Sequence, residues 1–212
     1  MFTGIVQTVG TIERVERRER GVHLLVQAAP IDTASLRVGD SIAVNGCCLT
    51  AVAVNGTRFE ADLSEETLAR TANLDRRGPV NLELAMALGD RIGGHLMFGH
   101  VDAVGTVCAL TPAGESSELR LRAPTPLAPC LAYKGSLAVD GVSLTINRVE
   151  DLDGACEVTI QLIPHTLAVT TLDRLVVGQR VNLEIDPLAR YAGRAVERMA
   201  AAIAAALGGR GH

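Results

Sequence analysis

Ser41-Ile42-Ala43-Val44-Asn45-Gly46-Cys47-Cys48-Leu49-Thr50 returns later in the chain as Ser136-Leu137-Ala138-Val139-Asp140-Gly141-Val142-Ser143-Leu144-Thr145, with six of the ten positions identical. The same offset carries Gly4-Ile5-Val6-Gln7-Thr8-Val9-Gly10-Thr11-Ile12 onto Gly99-His100-Val101-Asp102-Ala103-Val104-Gly105-Thr106-Val107, with five identities. Two windows that agree on one offset mark an internal duplication, and a duplication governs the fold because both copies must follow one plan. Further on, Thr67-Leu68 is echoed by Thr166-Leu167, and Val80-Asn81-Leu82-Glu83 by Val181-Asn182-Leu183-Glu184, the offset having grown through small insertions. Each copy is roughly 90 residues, the size of a small domain.

Within a copy the pattern is β. Val22 to Val26, Ser41 to Val44, Leu49 to Val54 and Val80 to Leu84 are short runs of aliphatic and β-branched residues separated by Gly, Asn or Asp. Asn55-Gly56 lies between two strand-like arms and predicts a hairpin, because both central positions of such a turn need positive φ. Ser64-Glu65-Glu66-Thr67 predicts a short helix with Ser64 as N-cap and carboxylates in its first turn. Many short strands with little helix predict a small closed barrel, and closure removes exposed strand edges. After Asp186-Pro187 the chain becomes Ala-rich, with Leu188, Ala192, Ala195, Met199, Ala202, Ile203 and Ala206 on one stripe of an amphipathic helix. That helix is either a lid on its own barrel or an oligomerisation element, since a small-residue stripe allows close helix approach. The expected units are therefore 1–95, 96–187 and a helical tail, 188–212, that frays from Gly208-Gly209 onward.

Composition narrows the function classes. A formal net charge of −4 and a pI near 5.7 give no general attraction to phosphate backbones, so neither nucleic acid nor an anionic membrane is an expected partner. No apolar run is long enough to span a bilayer and the opening Met-Phe-Thr-Gly-Ile-Val lacks the pattern of a secretory signal, which predicts a soluble cytoplasmic protein. The five cysteines are odd in number and two are adjacent, so reduced thiols are expected rather than a disulfide framework. With five aromatic side chains and no Trp, a flat ligand would have to be held mainly by backbone and aliphatic groups. His95, His100 and the Cys47-Cys48 pair match no four-ligand zinc spacing, and Gly93-Gly94 matches no phosphate loop and reads as a hinge.

The motifs resemble the riboflavin synthase family over nearly the whole chain. The residues that carry this are Met1 to Val6, Asn45 to Thr50, Asp62 to Thr67, Gly93 to His100, Tyr133-Lys134-Gly135, Asp140 to Thr145 and Ile163-Pro164-His165-Thr166. The resemblance implies an all-β fold of two tandem six-stranded Greek-key β-barrels followed by a C-terminal α-helix. It implies a homotrimer with each site between the N-terminal barrel of one subunit and the C-terminal barrel of the next, and no metal or redox cofactor. The implied reaction is the dismutation of two 6,7-dimethyl-8-ribityllumazine molecules by four-carbon transfer, giving riboflavin and 5-amino-6-(ribitylamino)uracil. Association with lumazine synthase is a further implied possibility. A reaction between two copies of one molecule would account for the duplication.

By the same match, the ligand-contacting segments of the N-terminal copy are Phe2 to Val6 (Phe2 as a wall, then Thr3, Gly4, Ile5 and Val6), Cys48-Leu49-Thr50, and Asp62-Leu63-Ser64-Glu65-Glu66-Thr67. Those of the C-terminal copy are Gly99, His100 and Val101, then Lys134, Ser143-Leu144-Thr145, and Gln161-Leu162-Ile163-Pro164-His165-Thr166. The catalytic candidates are Ser41, Cys48, Thr50, His100, Ser143 and Asp186.

Each candidate has a plain structural reading beside the chemical one. The chemistry asks for removal of a proton from the 7-methyl group of one lumazine and for a nucleophile to attack the other. His100 can move protons near neutrality, or be a simple exposed histidine. Cys48 is a thiol nucleophile, or a small buried hydrophobe as most free cysteines are. Cys47, its neighbour, faces the other side of an extended segment and reads as structural. Asp186 could instead cap the tail helix or pair with Arg190, and Lys134 could be a solvated turn residue. Across the repeat, Cys48 aligns with Ser143 and Ile5 with His100, substitutions that would turn two similar pockets into donor and acceptor sites. Phe98 stands where the family has a small or polar residue, and its ring could stack on the ligand or narrow the pocket beside His100. The alternative function is a non-catalytic lumazine- or flavin-binding protein on the same scaffold, since fold alone does not settle function.

Overall fold

The structure is a computed structural model that describes residues 1–31 and 35–208, with side chains through Ala205. The first copy supplies β1 (Thr8–Arg18), β2 (Gly21–Gln27), β3 (Ser41–Val44), β4 (Cys47–Asn55), β5 (Arg58–Ser64), the short helix α1 (Glu65–Arg70) and β6 (Gly78–Leu84). Its strands close into an antiparallel barrel in the order β1-β2-β5-β4-β3-β6. The second copy repeats the plan with β7 (Ala103–Ala113), β8 (Ser116–Pro124), β9 (Ser136–Val139), β10 (Val142–Leu152), β11 (Ala155–Leu162), helix α2 (Pro164–Val169) and β12 (Arg180–Ile185), closed in the order β10-β11-β8-β7-β12-β9. The tail forms helix α3 (Pro187–Gly208). The two six-stranded barrels and C-terminal helix expected from the sequence are present. The Ala206 side chain and residues 209–212 of the expected tail lie outside the described residues.

Alternation along each strand builds the interiors. On β4, Cys47, Leu49 and Ala51 point into the barrel and are buried, while Cys48 and Thr50 point out. One core gathers around Ile12, Leu24, Ile42, Phe59 and Leu82, and the other around Leu119, Leu137, Ile146, Ile160 and Leu183. A third, smaller cluster of Phe2, Ala43, Met97 and Ala138 lies between the barrels, each copy contributing two residues.

The turns inside the duplicated decapeptide join the copies. Asn45-Gly46 links β3 to β4 and Asp140-Gly141 links β9 to β10; all four residues have positive φ (45°, 76°, 45° and 80°), as a two-residue type I′ hairpin requires. A Cβ built on Gly46 would lie 2.7 Å from the Gly141 amide nitrogen, and one on Gly141 the same distance from that of Gly46. The two turns therefore pack backbone to backbone on the pseudo-twofold axis, which leaves no room for a side chain.

The repeated Val-Asn-Leu-Glu surrounds this contact. Asn81 donates through its side chain to the Asp140 carbonyl (2.9 Å) and Asn182 to the Asn45 carbonyl (2.9 Å), so each Asn crosses to the other copy. Their amide oxygens accept from the backbone of Thr171 (2.8 Å) and Ala72 (2.7 Å), also across the boundary. Every one of these groups is buried, and an unmade bond there would cost about 1–3 kcal/mol.

The hairpin expected at Asn55-Gly56 is present with its turn displaced by one residue. Asn55 still pairs with Arg58, so the turn residues are Gly56 and Thr57, and only Gly56 has positive φ (59°). Ser64 caps α1 as expected, its hydroxyl accepting from the Thr67 amide at 3.1 Å.

Candidate active site

Both barrels open at the same place. The β4–β5 ladder runs from Asn55↔Arg58 to Ala51↔Ala61 and stops; beyond it, β4 continues against β3 through Thr50↔Ser41 and Cys48↔Ala43, while β5 continues against β2 through Asp62↔His23 and Ser64↔Gly21. The β10–β11 ladder likewise ends at Ile146↔Ile160, leaving Ser143 and Thr145 on one lip and Gln161 and Leu162 on the other. An opening in a ladder exposes strand-edge amides and carbonyls, which a flat ring with alternating donors and acceptors can engage as a neighbouring strand would.

Two entering segments run past these openings, each crossing to the other copy's barrel. Ser143 donates its backbone N–H to the Gly4 carbonyl at 2.8 Å, and Cys48 does the same to Gly99 at 2.9 Å. Val6 packs on the core of the second barrel and Val101 on that of the first. This corrects the grouping expected from sequence: Gly4 to Val6 belong with the second opening and Gly99 to Val101 with the first. The repeat aligns segments but does not reveal that they are exchanged. A Cβ on Gly4 would meet Ser143 at 2.6 Å and one on Gly99 would meet Cys48 at 2.5 Å, so the crossing is close enough to require glycine.

Buried glutamates hold the crossing segments. Glu83 accepts from the Thr3 amide (2.6 Å), the Thr3 hydroxyl (2.7 Å) and the Gly4 amide (2.9 Å), and Glu184 accepts from the amides of Phe98 (2.8 Å) and Gly99 (3.0 Å). Burial keeps both carboxyls above the ordinary range even though these donors pull the other way.

The reactive side chains differ between the openings. At the first, Cys48 faces outward beside Gly99, while burial pushes the Cys47 thiol up to about 12 and leaves it inert. His100 follows Gly99 directly; its ring is exposed, stacks on Phe98 (centroids 5.9 Å apart, planes at 23°) and borders a recess shared with Arg190 and Tyr191 of α3. At the second opening Ser143 occupies the place of Cys48, and its hydroxyl lies 2.7 Å from Nδ1 of His95. His95 is 8% exposed, burial lowers its pKa, and the negative charge of Asp186 partly offsets that fall. Its Nε2 is buried and has no protein partner among the described residues. A neutral imidazole bonded to a hydroxyl is the arrangement that activates a nucleophile.

The lumazine binding domain family matches this chain twice, over residues 3–85 and 98–186. A riboflavin synthase of Photobacterium phosphoreum is 43% identical over 196 residues, covering 92% of this chain and 88% of the relative, and one of Mycobacterium tuberculosis is 44% identical over 200 residues, covering 92% and 97%. The chain belongs to the riboflavin synthase family. Solved structures of LumP are also similar: the complex with riboflavin has TM-score 0.77 at 26% identity and the complex with 6,7-dimethyl-8-(1'-D-ribityl) lumazine 0.76 at 25%, covering 87% of this chain and 99% and 98% of theirs.

The other residues that the riboflavin synthase resemblance singled out divide by exposure. Thr50, Asp62, Ser64, Glu65 and Glu66 are exposed along the first opening with Thr67 partly so, and Thr145, Gln161, Ile163, Pro164 and His165 with Thr166 repeat this at the second. Leu49, Leu63, Leu144 and Leu162 face the barrel interiors instead, so of these four only the backbone is available to a ligand. Phe2 is fully buried between the barrels, packed with Ala43, Met97 and Ala138 and against Cys48, and supports the site from behind. The Thr3 hydroxyl is taken up by Glu83, while Ile5 is half exposed. Ser41 pairs with Thr50 and lines a recess of about 590 Å³ with Asp40, Leu84 and Met86.

Two of the plain readings hold as well. Asp186 accepts from the Leu188 amide at 2.8 Å and so caps α3, whereas Arg190 pairs with Asp102 at 2.7 Å rather than with Asp186. Lys134 sits in an exposed turn at φ 63°, its ammonium 5.3 Å from the Tyr133 ring centroid. Among the described residues there is no group of three or more metal-ligating side chains, and no helix long and apolar enough to cross a membrane.

His95 is the site candidate that sequence reasoning misses, since it reads there as part of a linker. It precedes the second copy, where the repeat offers no first-copy counterpart for comparison, and its signal is spatial: a buried histidine on a hydroxyl that aligns with a thiol.

Proposed function

We propose that the chain is a riboflavin synthase, a cofactor-independent transferase that joins two 6,7-dimethyl-8-ribityllumazine molecules by moving a four-carbon unit from one to the other. The products are riboflavin and 5-amino-6-(ribitylamino)uracil. The observation that carries this reading is a pair of equivalent openings made chemically unequal: the Cys48 thiol, bonded through its backbone to the Gly99 that precedes His100, at the first, and Ser143 with His95 at the second. A bimolecular reaction between identical molecules needs two like-shaped sites that treat their occupants differently. Ser143, with His95 as adjacent base and Asp186 acting on His95 through its charge, supplies one activated nucleophile; Cys48 supplies a thiol at the other site. Thr50, Thr145 and the exposed residues of both lips hold the rings, and Ser41 and Lys134 stay at the margins.

Residues 1–95, 96–187 and 188–212 serve as the two lumazine-binding units and an oligomerisation tail. The assembly is a homotrimer in which the first opening of one subunit faces the second opening of the next, acting in the cytoplasm, with lumazine synthase as a possible associate. The exposed lips of both openings and the exposed apolar side chains of α3 support this arrangement.

The test is to mix the purified protein with 6,7-dimethyl-8-ribityllumazine, without added metal or cofactor, and follow riboflavin absorbance. One riboflavin per two lumazines is the expected result, with Cys48→Ala, His100→Ala and His95→Ala each slowing turnover by about tenfold or more in a folded protein. Tight lumazine binding with no turnover would replace the enzyme with a non-catalytic lumazine-binding protein.

A further inference from the structure

His23 lies on the outer face of β2, between the core positions Val22 and Leu24, yet it is only 9% exposed. Its Nδ1 is 2.7 Å from Oδ1 of Asp62 and its Nε2 is 2.7 Å from Oε2 of Glu60, both on β5. A carboxylate has no proton to give, so each ring nitrogen must donate and the imidazole is held as a cation between two anions. This bridge sits where β5 has just lost β4 as a neighbour. Past Ala61, the strand is flanked on one side by β2 and on the other by the opening. Among the described residues, His23–Asp62 is the side-chain bond that ties this lip to β2.

The second barrel lacks the device. Across β8 and β11 the residue opposite Gln161, the counterpart of Asp62, is Glu118, and there is no imidazole at that pair. The asymmetry therefore falls on the lip of one opening only.

We propose that His23 is a positioning residue of the first opening, clamping the Asp62–Ser64 lip against β2 and thereby setting the shape of the site that binds the first pteridine ring. The proposal rests on the lumazine-binding reading above and adds to it a residue that touches no ligand. The charged groups around the clamp are Glu60 and Asp62 from β5, and Glu16 opposite His23 on β1, itself paired with Arg14 and Arg18 at 3.2 Å. Arg18, Glu19 and Arg20 line the adjoining recess, and α1 adds Glu65 and the Glu66–Arg70 pair. The hydrogen bond to Asp62 is the main cause that raises the His23 pKa, against a smaller loss from burial. A histidine raised in this way has its clamp complete below its ordinary value of 6.5 and loses it as pH rises through the higher folded value. Affinity at the first opening should fall as pH rises above 6.5, while the second opening keeps its own profile.

The experiment is a fluorescence titration of the full chain with riboflavin, which binds without being consumed, at pH 6.5 and pH 9. The parent is expected to show two classes of site, one of them weakening by about threefold to tenfold at the higher pH. His23→Gln should weaken that class at pH 6.5 and abolish its pH dependence. His23→Arg, whose guanidinium can donate to both carboxylates at either pH, should restore affinity with a flat profile. A parent with two pH-independent classes, or a Gln variant that binds like the parent, would overturn the role of His23 and leave the lumazine-binding reading standing. A parent that binds no riboflavin would remove both. Should the Gln variant fail to fold, nitrogen-15 NMR of the parent decides, since a His23 ring that titrates at or below 6.5 excludes the clamp.

Discussion

Asp140 and Asn45 occupy equivalent corners of the inter-barrel contact, and one atom separates their consequences. Each accepts a backbone N–H from the facing Asn strand, Asn182 in one case and Asn81 in the other, at 2.8 Å. The amide of Asn45 is neutral, but Asp140 is buried at 2% exposure and burial pushes its pKa up to about 7. An acid whose folded pKa lies above its unfolded one stabilises the fold most when protonated, and that contribution drains away as pH rises from about 4 to about 7. Asp140→Asn, which copies the first repeat, should therefore raise stability by on the order of 2 kcal/mol at pH 8 and by much less at pH 4.5. Urea unfolding at the two pH values measures the difference. An Asn variant less stable than the parent at pH 8 would mean that the charge is compensated at this corner.

At the scale of elements, the hairpin turns and the ladder openings do most to build the site. Gly46 combines positive φ with a backbone so close that an added Cβ would meet it at 2.7 Å, so Gly46→Ala has to strain the turn and push the barrels apart at once. A loss of about 2–4 kcal/mol is expected in thermal or urea unfolding, against about 1 kcal/mol or less for Gly56→Ala, where nothing lies within 4 Å of the added carbon. Equal costs at the two positions would show that the inter-turn contact is not a constraint. The contrast also marks how far the sequence could be read. The duplication, the strands and the Ser64 cap are local patterns and were legible, whereas the candidate residues around both openings came from the resemblance to the riboflavin synthase family and not from pattern or spacing. The crossing of Gly4–Val6 and Gly99–Val101 to opposite barrels was not, because alignment of a repeat says which segments correspond but not which copy they serve. Likewise Asn45-Gly46 and Asp140-Gly141 were visible as identities, but their packing on each other arises only once both barrels exist. His95 became a candidate for the same reason, through a hydroxyl 48 positions away in sequence.

At the scale of the whole molecule, the exposure of α3 favours one of the two uses open to a tail helix, the oligomerisation tail proposed above. A lid would bury its apolar stripe on its own barrel. Instead Leu188 and Tyr191 are each 70% exposed, Met199 is 64% exposed, and contact with the barrel is confined to the first turns, where Arg190 pairs with Asp102 and Gly193 approaches Cys130. Every described side chain from Arg194 onward is exposed. A helix of this length with an uncovered apolar stripe gains its stability from packing, which the proposed trimer would supply. Ending the chain before Tyr191 keeps the Asp186 cap and the Arg190–Asp102 pair while removing all of the stripe except Leu188. Sedimentation velocity of that truncated chain should give monomers or dimers in place of the proposed trimer, with the far-ultraviolet β signal retained. Because the proposed reaction brings the first opening of one subunit to the second opening of its neighbour, turnover should fall by about tenfold or more, while riboflavin binding to the separate openings weakens much less. Trimers that persist without the helix would move the assembly contact onto the barrels, and full activity in a monomer would require both lumazines to meet within one chain.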